Sequence, residues 1–433
     1  MQRTAQIFRF AVILVIVMSI AGLGAWYFFL RSSSTTTENA DAQRGYGSAS
    51  PTFNGSLGST YQNVLTDVTG TGVSAPSTQP AQETADTPPQ LWHVSANPTA
   101  GMGFIEKKNA PTKIYFVERA TGYVFSADAA NGALVRVSNT LRPKIYEAFF
   151  SSDGAVLERS LDDTGAIVTF AATLTASTSA SSAQATSSED VLSGTILEPD
   201  ISSIAVSPSA REMFYIVPST GGPIGIRTPW NNKKPKRVFS SELSQWQAQW
   251  LSDGRIFLTQ NAADNIPGSI FELKSDGSLS PILQDQQGLT VLPKSGSPAL
   301  LFGTSINGTV SLFTAPDQNS VPVKLPIKTT ADKCVWSPGK DLVAYCAVPQ
   351  SIDSTSFLDD RYSGSVHTSD SIWRVNAKDG TAQLLFSPVS SNATIDVVSP
   401  MIDSTGLLIT FLNATDRSLW LLRLSASTST ASH

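Results

Sequence analysis

A turn that recurs every 40 to 45 residues or so most restricts what this 433-residue chain can fold into. An apolar stretch enters the turn and a second one leaves it, as in "VWSPGKDLVAY", "WLSDGRIFL" and "VVSPMIDSTGLLITF". Pro and Asp preset such turns and Gly relaxes the backbone, so each copy predicts a β-hairpin. The first turn residues are placed near Lys108, Ser152, Pro208, Asp253, Pro293, Pro338 and Pro400.

A second feature follows most of these turns by about 15 to 20 residues, as another pair of strands around a polar turn. Examples are "SIFELKSDGSLSPIL" and "SIWRVNAKDGTAQLLF". Four antiparallel strands per repeat are typical of a β-propeller blade. We therefore predict an all-β, seven-bladed propeller, with six or eight blades as alternatives. The predicted blades are 90–138, 141–199, 201–240, 243–284, 286–326, 328–387 and 391–424.

The turns also resemble those of a known repeat type. "SPGKDLVAY", "LSDGRIFL", "SPSAREMFYI", "SIWRVNAKDG" and "SLWLLRL" resemble the TolB-type and WD-like propeller repeats of bacterial envelope proteins. The resemblance covers most of residues 200–424, and the chain departs from it at Ser209 and Met401, where Asp and Gly are missing from the turn. It implies a propeller with a binding role and supplies no catalytic residues.

The N-terminal region predicts where the propeller lies. Residues 10–30, "FAVILVIVMSIAGLGAWYFFL", are uncharged and long enough to cross a bilayer as a helix. Arg3 and Arg9 precede them, which favours an uncleaved signal anchor in the cytoplasmic membrane with residues 1–9 inside and the rest outside. The alternative is a signal peptide cleaved near Ala21. Residues 31–88 predict a disordered tether, 89–424 the propeller and 425–433 a disordered tail.

Two insertions lengthen the repeats. Residues 173–190 form a Ser- and Thr-rich tract that we expect to be disordered, and residues 350–370 form a polar loop. The second loop carries the strongest concentration of chemically active side chains, and we treat it as a candidate binding loop, with an ordinary solvated loop as the alternative. Its candidate residues are Asp359, Asp360, Arg361, Tyr362, His367 and Asp370.

Charge and composition argue against several functions. Only 15% of residues are charged and the net charge is −5, so no nucleic acid partner is expected. One basic stretch could contact anionic lipid or polymer, or could be a solvated turn; it contains Lys233, Lys234, Lys236 and Arg237. Gln245, Gln247 and Gln249 alternate with Trp246 and Trp250, which makes them candidates for a polar row lining the central channel.

Cys334 and Cys346 flank one hairpin turn symmetrically, so they would face each other across the two strands. We expect a disulfide there, with two buried free thiols as the alternative. No metal site, cofactor or catalytic residue is expected, because the chain shows no zinc set, phosphate loop or hydrolase motif.

These observations together predict a binding or scaffolding module for an envelope protein or polymer. The alternative is a hydrolase or lyase acting on envelope glycans at the mouth of the channel. Hydrolysis would require two or more carboxylates converging from several blades.

Overall fold

The computed structural model describes residues 89–175, 190–208, 211–388 and 393–424. In these residues 28 β-strands form seven four-stranded antiparallel sheets, which confirms the all-β, seven-bladed propeller. Between them lies one short α-helix, α1 (Phe357–Tyr362). None of the helices in these residues is long and apolar enough to span a membrane. The predicted segments 1–9, 10–30, 31–88 and 425–433 lie outside the described residues.

The strands follow the chain from blade to blade. Blade 1 contains β2 (Thr99–Ile105), β3 (Lys113–Glu118), β4 (Val124–Asp128) and β5 (Leu134–Arg136), and blade 2 contains β6 (Ile145–Phe150), β7 (Val156–Leu161), β8 (Ile167–Thr175) and β9 (Val191–Ile196). Blade 3 contains β10 (Ser203–Val206), β11 (Glu212–Val217), β12 (Ile224–Pro229) and β13 (Lys236–Ser240), and blade 4 contains β14 (Trp246–Trp250), β15 (Ile256–Gln260), β16 (Pro267–Leu273) and β17 (Leu279–Gln287). Blade 5 contains β18 (Thr290–Pro293), β19 (Leu300–Ile306), β20 (Thr309–Ala315) and β21 (Val323–Lys324), and blade 6 contains β22 (Cys334–Trp336), β23 (Val343–Pro349), β24 (Asp370–Asn376) and β25 (Thr381–Phe386). Blade 7 contains β26 (Val397–Ile402), β27 (Leu408–Asn413), β28 (Leu419–Arg423) and, from the start of the propeller, β1 (Leu91–Ser95).

The last blade closes the ring by taking its outer strand from the beginning of the propeller. In β1, Leu91 pairs with Leu422 and Trp92 with Leu421 of β28. The sequence-based blade 90–138 was therefore wrong at its start, because residues 91–95 belong to blade 7. The physical reason is that the last repeat has only three strands of its own, and the outer edge of β28 needs a partner.

The first strand of each blade lies nearest the central axis, since β2 contacts β6, β10 contacts β14 and β22 contacts β26. Each first strand runs in the same sense, so the ring has two distinct ends. The mouth is the end at which the chain enters each first strand, and it also carries the connections between second and third strands. The hairpin end carries the turns between first and second strands and those between third and fourth strands.

Apolar side chains from adjacent blades form the core between them. Met213 and Tyr215 of β11 pack against Leu157 of blade 2, whereas Phe214 of the same strand packs against Trp246 of blade 4. All three β11 side chains have no exposed surface. Alternate residues of one strand thus bury both faces of the blade, which a single isolated blade could not do.

The recurring turns lie at the hairpin end and link one blade to the next. Asp253 accepts hydrogen bonds from the Arg255 and Gly296 N–H groups, so the blade 4 turn is tied to the blade 5 turn. In blade 7 the turn placed near Pro400 was misassigned, because Pro400 lies within β26 and the turn runs from Asp403 to Gly406. Asp403 and Gly406 supply the turn residues that had seemed missing at Met401.

The first insertion begins later than expected. Residues 173–175 belong to β8, where Thr173 pairs with Ser193 and Thr175 with Val191. Thr side chains favour strands, and the partner strand β9 was available to extend the sheet. Residues 176–189 lie outside the described part of the chain.

Candidate functional site: the mouth of the channel

Two cavities open at the mouth. The first, of about 320 Å³, is lined mainly by amide and hydroxyl side chains of blades 4 and 5, including Gln247, Gln249, Gln260, Asn261, Thr259 and Thr290. The second, of about 480 Å³, lies over blades 6 and 7 and is lined by Asp332, Arg361, Tyr362, Ser363, Gly364, His367, Val398, Ser399, Ala414 and Arg417. Asp332 and Tyr362 line both cavities, so the two are neighbours at one site.

The second insertion builds the wall between these cavities. Its helix α1 buries Phe357 and Leu358 completely against Val310 of blade 5, with Ala262 of blade 4 packed beside them. The carboxylate of Asp264 accepts a hydrogen bond from the Leu358 N–H at 2.7 Å. A short helix needs such tertiary contacts to form, and here they fix the position from which Arg361 and Tyr362 reach the mouth.

Arg361 and Asp332 form an ion pair at the centre of the wall. The Arg361 Nη1 lies 2.7 Å from the Asp332 Oδ2, and the Arg361 side chain is only 5% exposed. Burial raises the pKa of Asp332, but the charges of Arg361 and Lys333 and the hydrogen bonds to the carboxylate together outweigh it, so the pKa lies below its usual value. The Nε of Arg361 and the Oδ1 of Asp332 are buried, and neither has a hydrogen-bond partner within the described residues. Buried polar atoms normally have a partner, so these two are unsatisfied within the described residues.

Tyr362 stands beside this pair. Its ring lies 5.2 Å from the Arg361 guanidinium carbon, a cation–π contact. Burial, followed by the charge of Asp332, raises the pKa of Tyr362. The residue is nevertheless 49% exposed, because it lies in a concave opening where protein surrounds it but solvent reaches one side. Tyr362 is therefore a neutral phenol that offers both a ring and a hydroxyl.

Arg417 reaches the second cavity from the turn between β27 and β28. Its φ of 61° is a left-handed conformation that non-glycine residues seldom adopt. Its Nε is buried without a hydrogen-bond partner, and no carboxylate of the described residues forms an ion pair with it. Burial, together with the charge of Arg119, lowers the pKa of Arg417, and Glu147 partly offsets this. The structure thus holds an uncompensated guanidinium beside the cavity.

His367 also faces the second cavity. Its Nδ1 lies 3.2 Å from the Asp396 Oδ2. Burial raises the pKa of Asp396, but the charge of Lys333 and several hydrogen bonds outweigh it and hold the pKa below its usual value. Asp396 is therefore ionised and orients the imidazole with Nδ1–H toward the carboxylate, which leaves Nε2 for the cavity.

Beneath His367, Lys333 joins blades 6 and 7. Its ammonium group has no solvent exposure and lies 2.5 Å from Asp370 Oδ2 and 2.7 Å from Asp396 Oδ1. Thr368 completes the hydrogen bonding of the ammonium at 3.0 Å. This closed network holds blades together and leaves its charges no access to a ligand.

The six candidate residues of the insertion thus have three roles. Arg361, Tyr362 and His367 line the mouth. Asp359 and Asp360 accept hydrogen bonds from Asp264 N–H and the Ser354 hydroxyl, which fixes α1. Asp370 is buried under Lys333 and begins β24.

Sequence reasoning identified some residues of the site and missed others, including two of its charged side chains. Asp332 and Arg417 lie in connections far apart in the chain, and no local pattern marks them. The alternation in β14 did place Gln247 and Gln249 together, and both line the first cavity, whereas Gln245 does not.

The remaining predicted features lie away from the mouth or below it. Cys334 and Cys346 pair directly between β22 and β23 and are joined by a disulfide in the structure. The basic stretch lies at the hairpin end, in the β12–β13 turn and the start of β13, where its basic residues are exposed: Lys233, Lys234, Lys236 and Arg237. In the part of the chain that the structure describes, no three His, Cys, Asp or Glu side chains group as metal ligands.

Sequence comparisons identify no family for the chain. No family model matches it, and no curated protein shows significant similarity.

Solved structures of propellers are similar to it in fold. They include virginiamycin B lyase from Staphylococcus aureus, with 12% identity over 76% of this chain and 96% of that chain and a TM-score of 0.45. YCF48 from Cyanidioschyzon merolae has 10% identity over 76% and 96%, with a TM-score of 0.46. TolB from Acinetobacter baumannii has 10% identity over 72% and 63%, with a TM-score of 0.39. The seven four-stranded sheets confirm that the repeats are propeller repeats, as their resemblance to the TolB type predicted, and this resemblance concerns the fold alone.

Proposed function

We propose that the chain is a membrane-anchored, extracytoplasmic binding propeller of the cell envelope, which takes a protein or polymer partner at the mouth of its channel. The anchor is residues 10–30, with the N-terminus inside, and the propeller lies outside the cytoplasm. No nucleic acid partner belongs to this proposal, since the chain is weakly charged and acidic overall.

The observation that carries the proposal is the pair of adjoining cavities at the mouth. One presents neutral amides and hydroxyls, and the other presents guanidinium groups, an imidazole and an exposed phenol. Concave sites with a few convergent polar groups are where proteins bind ligands. The insertion supports the proposal further, because its buried anchor residues Phe357 and Leu358 hold Tyr362 over the opening.

The acids near the mouth favour binding over glycoside hydrolysis. Asp332 is paired with Arg361 and Asp396 with Lys333, and the pKa of each carboxyl group lies below its usual value. A hydrolase needs one carboxyl group to act as an acid and another as base or nucleophile. Acids held ionised by adjacent cations are poor proton donors.

The test is capture of partners from solubilised envelope by the immobilised full-length chain, read by mass spectrometry and glycan analysis. Tyr362→Ala and Gln247→Ala should each reduce the captured partner at least fivefold, because both side chains line the opening. Gln284→Ala, an exposed glutamine on the outer strand β17, is the matched control and should retain it. Equal capture by all four proteins would refute a site at the mouth.

A second candidate is an enzyme that cleaves envelope glycans by elimination, and the His367–Asp396 pair favours it. An imidazole oriented by a carboxylate can act as a general base. Incubation of envelope glycans with the chain should then release unsaturated products that absorb ultraviolet light. The variant His367→Asn should release none. Absence of products with wild-type protein would leave binding as the function.

A further inference from the structure

The second cavity has a property that the general binding role does not require, namely one positive charge without a counter-charge. Two guanidinium groups, Arg361 and Arg417, and one carboxylate, Asp332, line it. The Asp332 carboxylate already forms an ion pair with Arg361, in which the Arg361 Nη1 lies 2.7 Å from the Asp332 Oδ2. Arg417 has no ion-pair partner among the described residues, and its Nε is buried with no hydrogen-bond acceptor.

Such an arrangement is unfavourable for the protein alone. Arg417 is partly buried, and a partly desolvated charge without a partner costs free energy, as its lowered pKa reflects.

The side chain of Arg361 gives a second, independent indication of a ligand. Only 5% of this side chain is exposed, and its Nε has no hydrogen-bond acceptor within the described residues. An acceptor placed in the cavity would lie beside both guanidinium groups, since both residues line it. His367 Nε2 and the Tyr362 hydroxyl are further polar groups at the rim.

We propose that the second cavity is a subsite for the carboxylate group of a ligand, held between Arg417 and Arg361. Guanidinium groups bind carboxylates through charge-assisted and often paired hydrogen bonds. A carboxylate carries one negative charge, which would neutralise the one positive charge in excess among the lining side chains. A phosphate dianion carries two, and its second charge would be repelled by Asp332. The neighbouring amide-lined cavity would receive the uncharged part of the same ligand.

The subsite rests on the proposed function, since it names the chemistry of the ligand that the mouth would take. The carboxylate could belong to an acidic sugar or to a peptide C-terminus, and these share the group that is recognised. Titration calorimetry with the full-length chain can separate the two sources. Its probes are D-glucuronate and N-acetyl-alanyl-alanine, with glucose and N-acetyl-alanyl-alanine amide as the uncharged counterparts, and inorganic phosphate as another anion.

We expect at least one of the two carboxylates to bind at least tenfold more tightly than its uncharged counterpart and than phosphate. Arg417→Asn should weaken that binding at least tenfold, and Arg417→Lys should retain part of it. Asn is chosen because it tolerates the left-handed backbone. Arg237→Asn removes one positive charge from the hairpin end and should leave the affinity within twofold.

Thermal unfolding separates a binding role from a structural one. Arg417→Asn removes a partly buried, unpaired charge, so its melting temperature should equal or exceed that of the wild type while affinity falls. A lower melting temperature with unchanged affinity would overturn the subsite, as would tighter binding of phosphate or equal binding of the uncharged probes.

Envelope capture tells the two proposals apart. If Tyr362→Ala loses its captured partner while no carboxylate probe binds, the mouth is a binding site and the carboxylate subsite is wrong. If the variant captures normally and no probe binds, both fail.

Discussion

At the scale of single residues, the described structure holds charged groups in two different ways. Lys333 lies between two buried carboxylates and a buried hydroxyl, which fully compensate its positive charge. Arg417 has no such compensation. A compensated network stabilises the contact between two blades, whereas an uncompensated charge costs stability and is retained for another reason.

The first prediction concerns Lys333. Lys333→Met should lower the free energy of unfolding by about 3–5 kcal/mol, because it leaves Asp370 and Asp396 buried without a cation. Lys328→Met, an exposed lysine five residues earlier, is the control and should change stability by about 0.5 kcal/mol at most. Urea unfolding followed by tryptophan fluorescence measures both. Adding Asp370→Asn and Asp396→Asn to Lys333→Met should recover part of the loss, and a loss equal to that of the control would contradict the network's role.

A second prediction concerns Glu158 and pH. Burial raises the pKa of Glu158 from 4.5 to about 7, although Arg142 lies 3.0 Å from it. Between these two values the folded chain keeps the proton and the unfolded chain has released it, so rising pH favours unfolding. Stability should therefore fall as pH rises from about 4.5 to about 7, by up to about 3 kcal/mol from this group, and level off above that.

The variant Glu158→Gln isolates this effect, since Gln cannot ionise. Its stability should match that of the wild type near pH 5 and exceed it near pH 8, as measured by melting temperature across the range. Parallel pH profiles for the two proteins would mean that Glu158 does not titrate as described.

At the scale of secondary-structure elements, the recurring hairpin turn was readable from sequence and its exceptions were not. Pro, Asp and Gly select turn geometry locally, so "LSDGRIFL" predicted the β14–β15 turn. Pro400 misled the prediction because a bulge follows Val398 and moves the turn to Asp403. Bulges depend on pairing with another strand, which local sequence does not encode. For the same reason Asp332 and Arg417 were missed, as only closure of the ring brings them to one cavity.

The disulfide gives a third prediction, at the level of the β22–β23 hairpin. The two cysteines are paired across the strands with a sequence separation of 12 residues. The denatured chain should show no free thiol before reduction and two after it. Replacing both by Ala should cost about 2–3 kcal/mol by restoring freedom to the unfolded chain. Two free thiols without reductant would return the alternative of buried thiols.

At the scale of the whole molecule, stability depends on closing a ring of sheets that cannot stand alone. Each blade buries both faces against its neighbours, as the opposite faces of β11 show. The repeat period and the apolar strands predicted this ring, since a blade with two apolar faces has no other way to exclude water. The repeat period does not predict which strand completes the last blade, because β1 and β28 lie more than 300 residues apart in sequence and pair only when the ring forms.

The last prediction tests that closure. A chain that begins at residue 96 lacks β1 and leaves β28 as an open edge, whereas a chain that begins at residue 86 keeps the pairing of Leu91 with Leu422. Loss of β1 also removes Val94 from the cluster that it shares with Leu419 and Leu421.

The shorter chain should therefore melt roughly 10 °C lower or more, since about 3 kcal/mol shifts the midpoint of a large domain by that much. It should also associate at raised concentration, because an exposed strand edge recruits other strands. Scanning calorimetry and size-exclusion chromatography compare the two chains. Adding a peptide of residues 89–96 to the shorter chain should raise its melting temperature, and failure of the truncation to lower that temperature would show that the ring holds without its closing strand.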